Sequence, residues 1–361
     1  MGSEMCIRDS SPGENRYRIS VRVARPRNLV RKMALALAIS TLADATLLFH
    51  HPSAAPLARR VVDADPSAVR LGGCSWQAFE DGFPNLTIDA ADVEAIENGA
   101  ECAFLACLDT PAAVFGNMAL IYALAQLGAR HFRVLVPFFA TGTMERVDAV
   151  GQVATAAAMA RILSATPHCG SGPSTVVVYD VHALQEQFYF SDNVHVQLKS
   201  AVPLLHEKLA ELAARPGGPA PVVVYPDDGS AKRFAPRLAE YESVRCSKVR
   251  DGDARVVAIK EGEAAGRHCV IVDDLARTGG TLIECARALK AAGAAAVSAF
   301  VVHAVFPDES WRQFCDEEGL FEHVWVTDTV GPVAEELLPP FEVLSIAPLL
   351  SKLLRGAEPA T

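Results

Sequence analysis

The most informative stretch of this chain is Val270-Ile271-Val272-Asp273-Asp274-Leu275-Ala276-Arg277-Thr278-Gly279-Gly280-Thr281. It begins with an apolar, β-branched run, which is typical of a buried strand. Two adjacent acids follow at the carboxyl end of that strand, and a turn with two glycines then leads into a predicted helix over residues 282–292. A strand, a glycine turn and a helix start form an anion site, because backbone N–H groups point outward there and the helix dipole favours negative charge.

The acid pair Asp273 and Asp274 needs a different ligand, since two carboxylates repel a phosphate. Carboxylates accept hydrogen bonds, and the hydroxyl groups of a ribose donate them. The stretch therefore predicts a sugar-phosphate site, with the phosphate on residues 278–281 and the ribose on the acid pair. The alternative is an ordinary βα turn that carries surface acids.

Length, composition and charge exclude several classes of protein. A chain of 361 residues suggests two domains, each able to bury its own core. The net charge of -10 argues against nucleic acid as a partner, because a nucleic-acid binder needs a basic face. The nine cysteines are scattered and form no CxxC pair, which favours reduced thiols in an intracellular compartment over a zinc ribbon or a disulfide framework. No apolar run is long and pure enough to span a bilayer, so no membrane partner is expected.

The first 43 residues differ from the rest of the chain. Residues 11–32 are rich in arginine and contain one acid, Glu14, which would fit an organelle transit peptide. The alternative is spurious sequence ahead of a true start at Met33. The protein is expected in the cytoplasm, or in the chloroplast or mitochondrion if this extension is a transit peptide.

From residue 45 onward, predicted strands alternate with predicted helices, and the alternation repeats in the second half of the chain. This pattern predicts an α/β fold with two domains of related design, each a mostly parallel sheet flanked by helices. We place the domains at residues 44–195 and 196–361. Ligands of such sheets bind at the carboxyl ends of the strands.

Three further polar clusters follow predicted strands or loops. The first is Asp180-Val181-His182, where a histidine could bind a metal or a phosphate, although a structural histidine is more common. The second is Pro226-Asp227-Asp228-Gly229-Ser230-Ala231-Lys232-Arg233, where Asp227 or Asp228 could contact Mg²⁺, or Asp228 could simply cap a helix. The third is Lys248-Val249-Arg250 on a predicted mobile loop, where two cations could close over a polyphosphate or simply lie in solvent.

The acid-pair stretch resembles the phosphoribosyl-binding loop shared by phosphoribosyltransferases and phosphoribosyl-diphosphate (PRPP) synthetases. The order of all four segments resembles the PRPP synthetase family, ribose-phosphate diphosphokinase, across about residues 45–355. The resemblance implies two phosphoribosyltransferase-like domains, magnesium at His182 and Asp227, and catalytic roles for Lys248 and Arg250. It also implies that ribose 5-phosphate is bound by Asp273, Asp274, Arg277, Thr278, Gly279, Gly280 and Thr281.

Two segments depart from the usual family pattern on the ATP side. An Arg-Gln-Asp run is replaced within Ala140-Thr141-Gly142-Thr143-Met144-Glu145-Arg146, and Phe83 stands where a glutamate is usual. These departures resemble the divergent plant-type branch, which is regarded as independent of phosphate activation and less strict about the nucleotide donor. Contacts to ATP are expected from Phe79, Asn85, Thr143, Glu145 and Arg146. Phe79 and Asn85 would reach into a neighbouring subunit of a homo-oligomer.

The implied reaction converts ribose 5-phosphate and ATP into PRPP and AMP, with Mg²⁺ as the cofactor. A phosphoribosyltransferase would share the acid-pair loop, but one domain would suffice for it. A catalytically silent regulatory relative is the other alternative. Retention of His182, Asp227, Lys248 and Arg250 together argues against such a silent subunit.

Overall fold

The computed structural model describes residues 45–251 and 254–356. The predicted extension, residues 1–43, therefore lies outside the described residues. Within the described ranges, no helix has the length and apolar character needed to cross a membrane.

A six-stranded parallel sheet forms the first half of the molecule, with strand order β2-β1-β5-β6-β7-β8. Strands β3 and β4 form a separate antiparallel hairpin. The strands are β1 (Thr46–His50), β2 (Val69–Leu71), β3 (Cys74–Ala78), β4 (Pro84–Ile88), β5 (Cys102–Leu105), β6 (Phe132–Val136), β7 (Ser174–Tyr179) and β8 (Val194–Lys199). The helices are α1 (Ala55–Ala64), α2 (Ala90–Glu97), α3 (Pro111–Gln126), α4 (Thr155–Ser164) and α5 (Val202–Ala213).

A seven-stranded sheet forms the second half, with strand order β11-β10-β9-β12-β13-β14-β15. Its strands are parallel except for β11, which runs antiparallel to β10 at one edge. The strands are β9 (Pro221–Tyr225), β10 (Ser243–Asp251), β11 (Ala254–Glu261), β12 (His268–Ala276), β13 (Ala296–Ala304), β14 (Val324–Thr327) and β15 (Phe341–Leu344). The helices are α6 (Asp228–Phe234), α7 (Gly280–Ala291), α8 (Arg312–Asp316), α9 (Gly331–Ala334) and α10 (Ala347–Leu354).

The two sheets share one hydrophobic core. Helices α1, α5 and α10 contribute Leu57, Leu205 and Leu350 to it, and these side chains pack with Val177 of β7 and Val223 of β9. Helices α3 and α4 cover the other face of the first sheet, and α7 covers the other face of the second. The shared core sets the two sheets against each other, so that residues from both can meet at one site.

The α/β fold with mostly parallel sheets is confirmed, but two strands were missed and one expectation was wrong. Strand β8 extends the first sheet to Lys199, so the boundary at 195/196 falls inside a strand. Lys248 and Arg250 lie in strand β10, not in a loop, and their backbone pairs with Val257 and Arg255 of β11. Alternating apolar and polar residues in 243–247 favour a strand with one polar face, and Asp251-Gly252 is a hairpin signal.

Asp328 links the two halves of the molecule, and its loss is expected to destabilise the fold. Its Oδ1 accepts a hydrogen bond from the N–H of Ile346 at 2.9 Å, where α10 begins. Its Oδ2 accepts from Ser345 Oγ at 2.5 Å and from Arg60 Nη1 of α1 at 3.0 Å. Asp328→Ala should lower the free energy of unfolding by about 2–4 kcal/mol, because it leaves buried donors unpaired. Chemical denaturation measures the effect.

Arg60→Ala is the matched control for Asp328→Ala. The Arg60 side chain is 44% exposed, whereas that of Asp328 is 1% exposed. An ion pair with one solvated partner contributes about 1 kcal/mol or less. If the two substitutions lowered the free energy of unfolding equally, the prediction that Asp328 contributes more than its ion pair with Arg60 would be wrong.

Candidate active site

A cleft of about 930 Å³ lies where the carboxyl ends of β7, β9 and β12 meet. Residues from both halves line it, including His182 after β7, Asp227 after β9 and Asp273 near the end of β12. The predicted metal-binding, phosphate-binding and sugar-binding segments are thus brought together. The remaining predicted lining residues are Glu145, Arg146, Asp274 and Thr281.

Three residues that line this cleft, His182, Arg233 and Asp274, contact one another in a triangle. His182 Nδ1 lies 2.8 Å from Asp274 Oδ2, and Arg233 forms an ion pair with Asp274 Oδ1. Arg233 also donates a hydrogen bond to the backbone carbonyl of His182. The triangle joins the first half of the chain to the second. The sequence analysis gave no role to Arg233, although it ends the Asp227–Arg233 segment.

The pKa values of the two acids near the carboxyl end of β12 are shifted in opposite directions. Burial raises the pKa of Asp273 well above its usual range, and the neighbouring charges of Asp274 and Asp227 raise it further. Burial also raises the pKa of Asp274, but the hydrogen bond from His182 and the charge of Arg233 outweigh it and lower the pKa to about 2. The hydrogen bond to Asp274 in turn raises the pKa of His182. Asp274 is therefore a permanent carboxylate at neutral pH.

Asp227 caps helix α6, whereas the capping interpretation of this segment had placed Asp228 near the N-cap. Its Oδ1 accepts hydrogen bonds from the N–H groups of Gly229 and Ser230, both at 3.0 Å. Ser230 Oγ donates to the carbonyl of Val272 at 2.6 Å, which fixes α6 beside β12. Capping uses one oxygen of Asp227, and the residue still borders the cleft.

The turn between β12 and α7 has the predicted form. Gly279 precedes the first helical residue and has φ of 85°, in the left-handed region. A Cβ atom at Gly279 would lie 2.2 Å from Cε2 of Phe314, so this position requires glycine. Arg277 and Thr278 are exposed, and the helix start at Gly280 and Thr281 presents backbone N–H groups for an anion.

The predicted ATP-side segment packs on the residues that follow His182. Tyr189 donates a hydrogen bond to the carbonyl of Glu145, and a Cβ atom at Gly142 would lie 3.4 Å from that of His182. Glu186 is 1% exposed, accepts from the N–H of Ala183 at 2.9 Å, and has a pKa raised by burial to about 7. Neither Glu186 nor Tyr189 was singled out from the sequence, and the contact of Tyr189 with Glu145 joins residues 44 positions apart.

The other predicted ATP contacts fall in two different places. Thr143 borders a second cavity of about 690 Å³, which adjoins the cleft and shares His182 and Asp274 with it. Phe79 lies at the end of hairpin β3–β4 and Asn85 lies on β4. Within the part of the chain that the structure describes, neither of these two residues borders the cleft or the second cavity.

Magnesium fits the donors at this cleft if it arrives with a ligand. Across residues 45–251 and 254–356, no group of three or more His, Cys, Asp or Glu side chains could hold a metal ion by itself. Mg²⁺ is commonly bound by one or two carboxylates together with substrate phosphates and waters. The predicted donors His182 and Asp227 border a space large enough for a polyphosphate, which matches that mode of binding.

Residues 218–331 match the family model described as "Phosphoribosyl transferase domain", which is the class of domain that the β12 turn and its acid pair define. The chain is 45% identical to "Ribose-phosphate pyrophosphokinase 3, mitochondrial" of Spinacia oleracea, over 85% of this chain and 76% of that protein. It is 44% identical to "Ribose-phosphate pyrophosphokinase 4" of Arabidopsis thaliana, over 85% and 91% of the two chains. It therefore belongs to the ribose-phosphate pyrophosphokinase family, and its resemblance to the plant branch is confirmed.

A solved structure supports the fold independently of these sequences. The phosphoribosylpyrophosphate synthetase from Mycobacterium smegmatis superposes with a TM-score of 0.72 at 24% identity. The superposition covers 87% of this chain and 98% of the solved chain. This likeness confirms the predicted fold of two phosphoribosyltransferase-like domains, and the domain match covers the second of them.

Proposed function

We propose that the protein transfers the β,γ-diphosphoryl group of ATP to the 1-hydroxyl of ribose 5-phosphate, giving PRPP and AMP. The observation that carries the proposal is the meeting of His182, Asp227 and Asp273 at one cleft built from both sheets. One domain with the acid-pair loop would suffice for a phosphoribosyltransferase, whereas this cleft adds a histidine and a third acid that follow other strands. Membership of the ribose-phosphate pyrophosphokinase family supports the same reaction.

In the proposed mechanism, the anomeric hydroxyl of the sugar attacks the β-phosphorus, and the bond from that phosphorus to AMP breaks. The protein mainly positions the two substrates and neutralises charge, as in other phosphoryl-type transfers. The acid pair at 273–274 would meet the ribose, and the turn at 278–281 would receive the 5-phosphate. His182 and Asp227 would hold Mg²⁺, which supplies charge neutralisation for the donor phosphates. Lys248 and Arg250 would stabilise the group in transfer.

The test is product analysis with ribose 5-phosphate, ATP and Mg²⁺. Formation of PRPP and AMP in equal amounts without a nucleobase is the expected result. Pyrophosphate release that requires PRPP and a nucleobase would indicate a phosphoribosyltransferase instead. The absence of turnover with either set of substrates would favour a silent regulatory relative.

Activity is expected without inorganic phosphate, and GTP or CTP should partly replace ATP. The reason is that Thr143 and Met144 replace an Arg-Gln pair, and Phe83 replaces a glutamate, of the usual family pattern. Initial rates with each nucleotide, with and without phosphate, measure this. Strict dependence on phosphate combined with acceptance of ATP alone would contradict the expectation.

We also propose that the β3–β4 hairpin completes the cleft of a second copy of the chain. Phe79 is 56% exposed at the hairpin end, away from the cleft of its own chain. If the proposal is right, mixing Phe79→Ala protein with Lys248→Ala protein should restore activity that neither has alone, after subunit exchange. Mixtures no more active than their components would indicate that each chain is complete.

An organellar location is proposed in preference to the cytoplasm. The names of two relatives carry the words mitochondrial and chloroplastic, for Spinacia oleracea and Arabidopsis thaliana respectively. The arginine-rich composition of residues 11–32 agrees with such a location. Imaging the chain fused to a fluorescent protein, with and without residues 1–43, tests it.

A further inference from the structure

The two acids of the β12 pair have different surroundings, although the sequence predicts one role for both. Both carboxylate oxygens of Asp274 are engaged within the chain, Oδ2 with His182 and Oδ1 with Arg233. The Asp274 side chain is 6% exposed. Asp273 is half-buried, borders the cleft and accepts a hydrogen bond at Oδ1 from the N–H of Asp274 at 3.0 Å. Asp273 is thus the better placed of the two to meet a sugar hydroxyl.

The contact between Asp274 and His182 also fixes the histidine ring. An ionised carboxylate can only accept hydrogen bonds, so Nδ1 of His182 must be the donor across the 2.8 Å separation. In a neutral imidazole, protonation at Nδ1 leaves the lone pair on Nε2. A metal-binding histidine commonly donates its other ring N–H to a carboxylate, which sets both the tautomer and the ring orientation. His182 has this arrangement, and it borders the cleft.

Arg233 holds the acid and the histidine segment together. It forms an ion pair with Asp274 and donates to the carbonyl of His182, and its own side chain is 10% exposed. The carboxylate therefore has a fixed charge partner on one oxygen and a fixed ring on the other. The position of the Asp274 carboxylate therefore depends on His182 from the first half of the chain as well as on strand β12.

We propose that Asp274 is a positioning residue for the metal-binding histidine, and that Asp273 carries the ribose contact of the acid pair. This proposal rests on the proposed function, because it takes His182 as a ligand of Mg²⁺ and the β12 turn as the ribose site. It departs from the sequence analysis, which assigned both acids to the sugar. The proposal connects the two substrate sites through strand β12. Asp273 of this strand binds the sugar, and Asp274 orients His182, which binds the Mg²⁺ of the ATP complex.

The first test needs only the wild-type protein. The ¹⁵N chemical shifts of His182, recorded at a pH of about 9 so that the ring is neutral, report which nitrogen carries the proton. The expected result is a protonated Nδ1 and an unprotonated Nε2. A ring protonated at Nε2 would overturn the proposal. This measurement requires no turnover, so it remains decisive even if the proposed reaction is not observed.

The second test compares Asp274→Asn with Asp273→Asn by calorimetry. The probes are ribose 5-phosphate alone and the Mg²⁺ complex of a non-hydrolysable ATP analogue alone. Asp274→Asn should weaken binding of the Mg²⁺ complex about 10–100-fold and change ribose 5-phosphate binding about twofold at most. Asp273→Asn should weaken ribose 5-phosphate binding about 10-fold or more. Equal losses of ribose 5-phosphate affinity in the two variants would refute the division of roles.

A double variant separates positioning from general damage to the fold. If Asp274 acts through His182, then His182→Asn and the double variant with Asp274→Asn should bind the Mg²⁺ complex equally weakly. Additive losses would show that Asp274 acts independently of the histidine. The ¹⁵N shifts of His182 in Asp274→Asn should also show loss of the preference for protonated Nδ1, a change that unrelated structural damage would not produce.

Discussion

Replacing Lys248 or Arg250 with alanine is expected to lower kcat about a hundredfold or more, with small changes in both KM values. Each cation would stabilise charge that grows as the β-phosphorus transfers, and a single donor of this kind is typically worth about 3 kcal/mol. An interaction made only in the transition state affects turnover more than substrate binding. Steady-state kinetics with both substrates varied measures the two effects separately.

The course of strand β10 supports this assignment. Ser247, the residue before Lys248, borders the cleft, and Cys246 is buried with its Sγ 3.8 Å from that of Cys285 in α7. Strand β10 therefore packs against α7, the helix that follows the β12 turn, at the point where the strand borders the cleft. The side chains of residues 248–256 lie outside the described part of the chain, so the roles of both cations remain predictions.

Lys260 offers a matched control on the same hairpin. It is an exposed lysine of β11, and Lys260→Ala should leave kcat within about twofold, because a solvated cation contributes little. Lys248→Arg should restore little of the lost rate, since a planar guanidinium does not replace a compact ammonium. A double alanine variant that keeps most of its kcat would instead identify 248–250 as a solvated basic strand.

Local features of the site could be predicted from the sequence. The β-branched run before Asp273 specifies a buried strand, and glycine at 279 permits the left-handed turn that starts α7. These signals depend on residues that are neighbours in the chain. The strand, the turn and the helix were therefore predicted in the right order, although β12 continues through the acid pair to Ala276 and α7 begins at Gly280, before the predicted helix over 282–292.

Features that depend on distant neighbours could not be predicted. Strand β10 lies between β9 and β11, but the Lys248-Val249-Arg250 cluster within it was predicted as a loop because it carries two cations and precedes the polar run 251–253. The contact between His182 and Asp274 joins residues 92 positions apart in different sheets. It depends on how the shared helices α1, α5 and α10 set one sheet against the other. No local pattern specifies that packing, so the contact between His182 and Asp274 could be seen only in the structure.

Gly279→Ala is expected to destabilise the protein and to weaken ribose 5-phosphate binding together. The new Cβ would lie 2.2 Å from Cε2 and 2.5 Å from Cζ of Phe314, which is 1% exposed and packed among Phe306, Phe321 and Phe341. Overpacking costs about 1–3 kcal/mol, and a left-handed conformation costs an L-residue about 1–2 kcal/mol more. The free energy of unfolding should therefore fall by about 2–5 kcal/mol. Displacement of the turn should also raise the KM for ribose 5-phosphate about tenfold or more, as expected for a lost hydrogen bond to a charged group.

Gly280 provides the control for this prediction, because it is the next residue and has space around it. A Cβ there would meet Thr278 Oγ1 at 3.9 Å, an ordinary contact, so Gly280→Ala should change stability by about 1 kcal/mol at most. Gly279→Asn separates the two causes, since asparagine tolerates the left-handed conformation but still carries a Cβ. If contact with Phe314 dominates, Asn and Ala at 279 should be about equally damaging in thermal unfolding and in the KM for ribose 5-phosphate. A mild Asn variant would assign the loss to backbone strain, and a mild Ala variant would show that the phosphate turn can move away from Phe314.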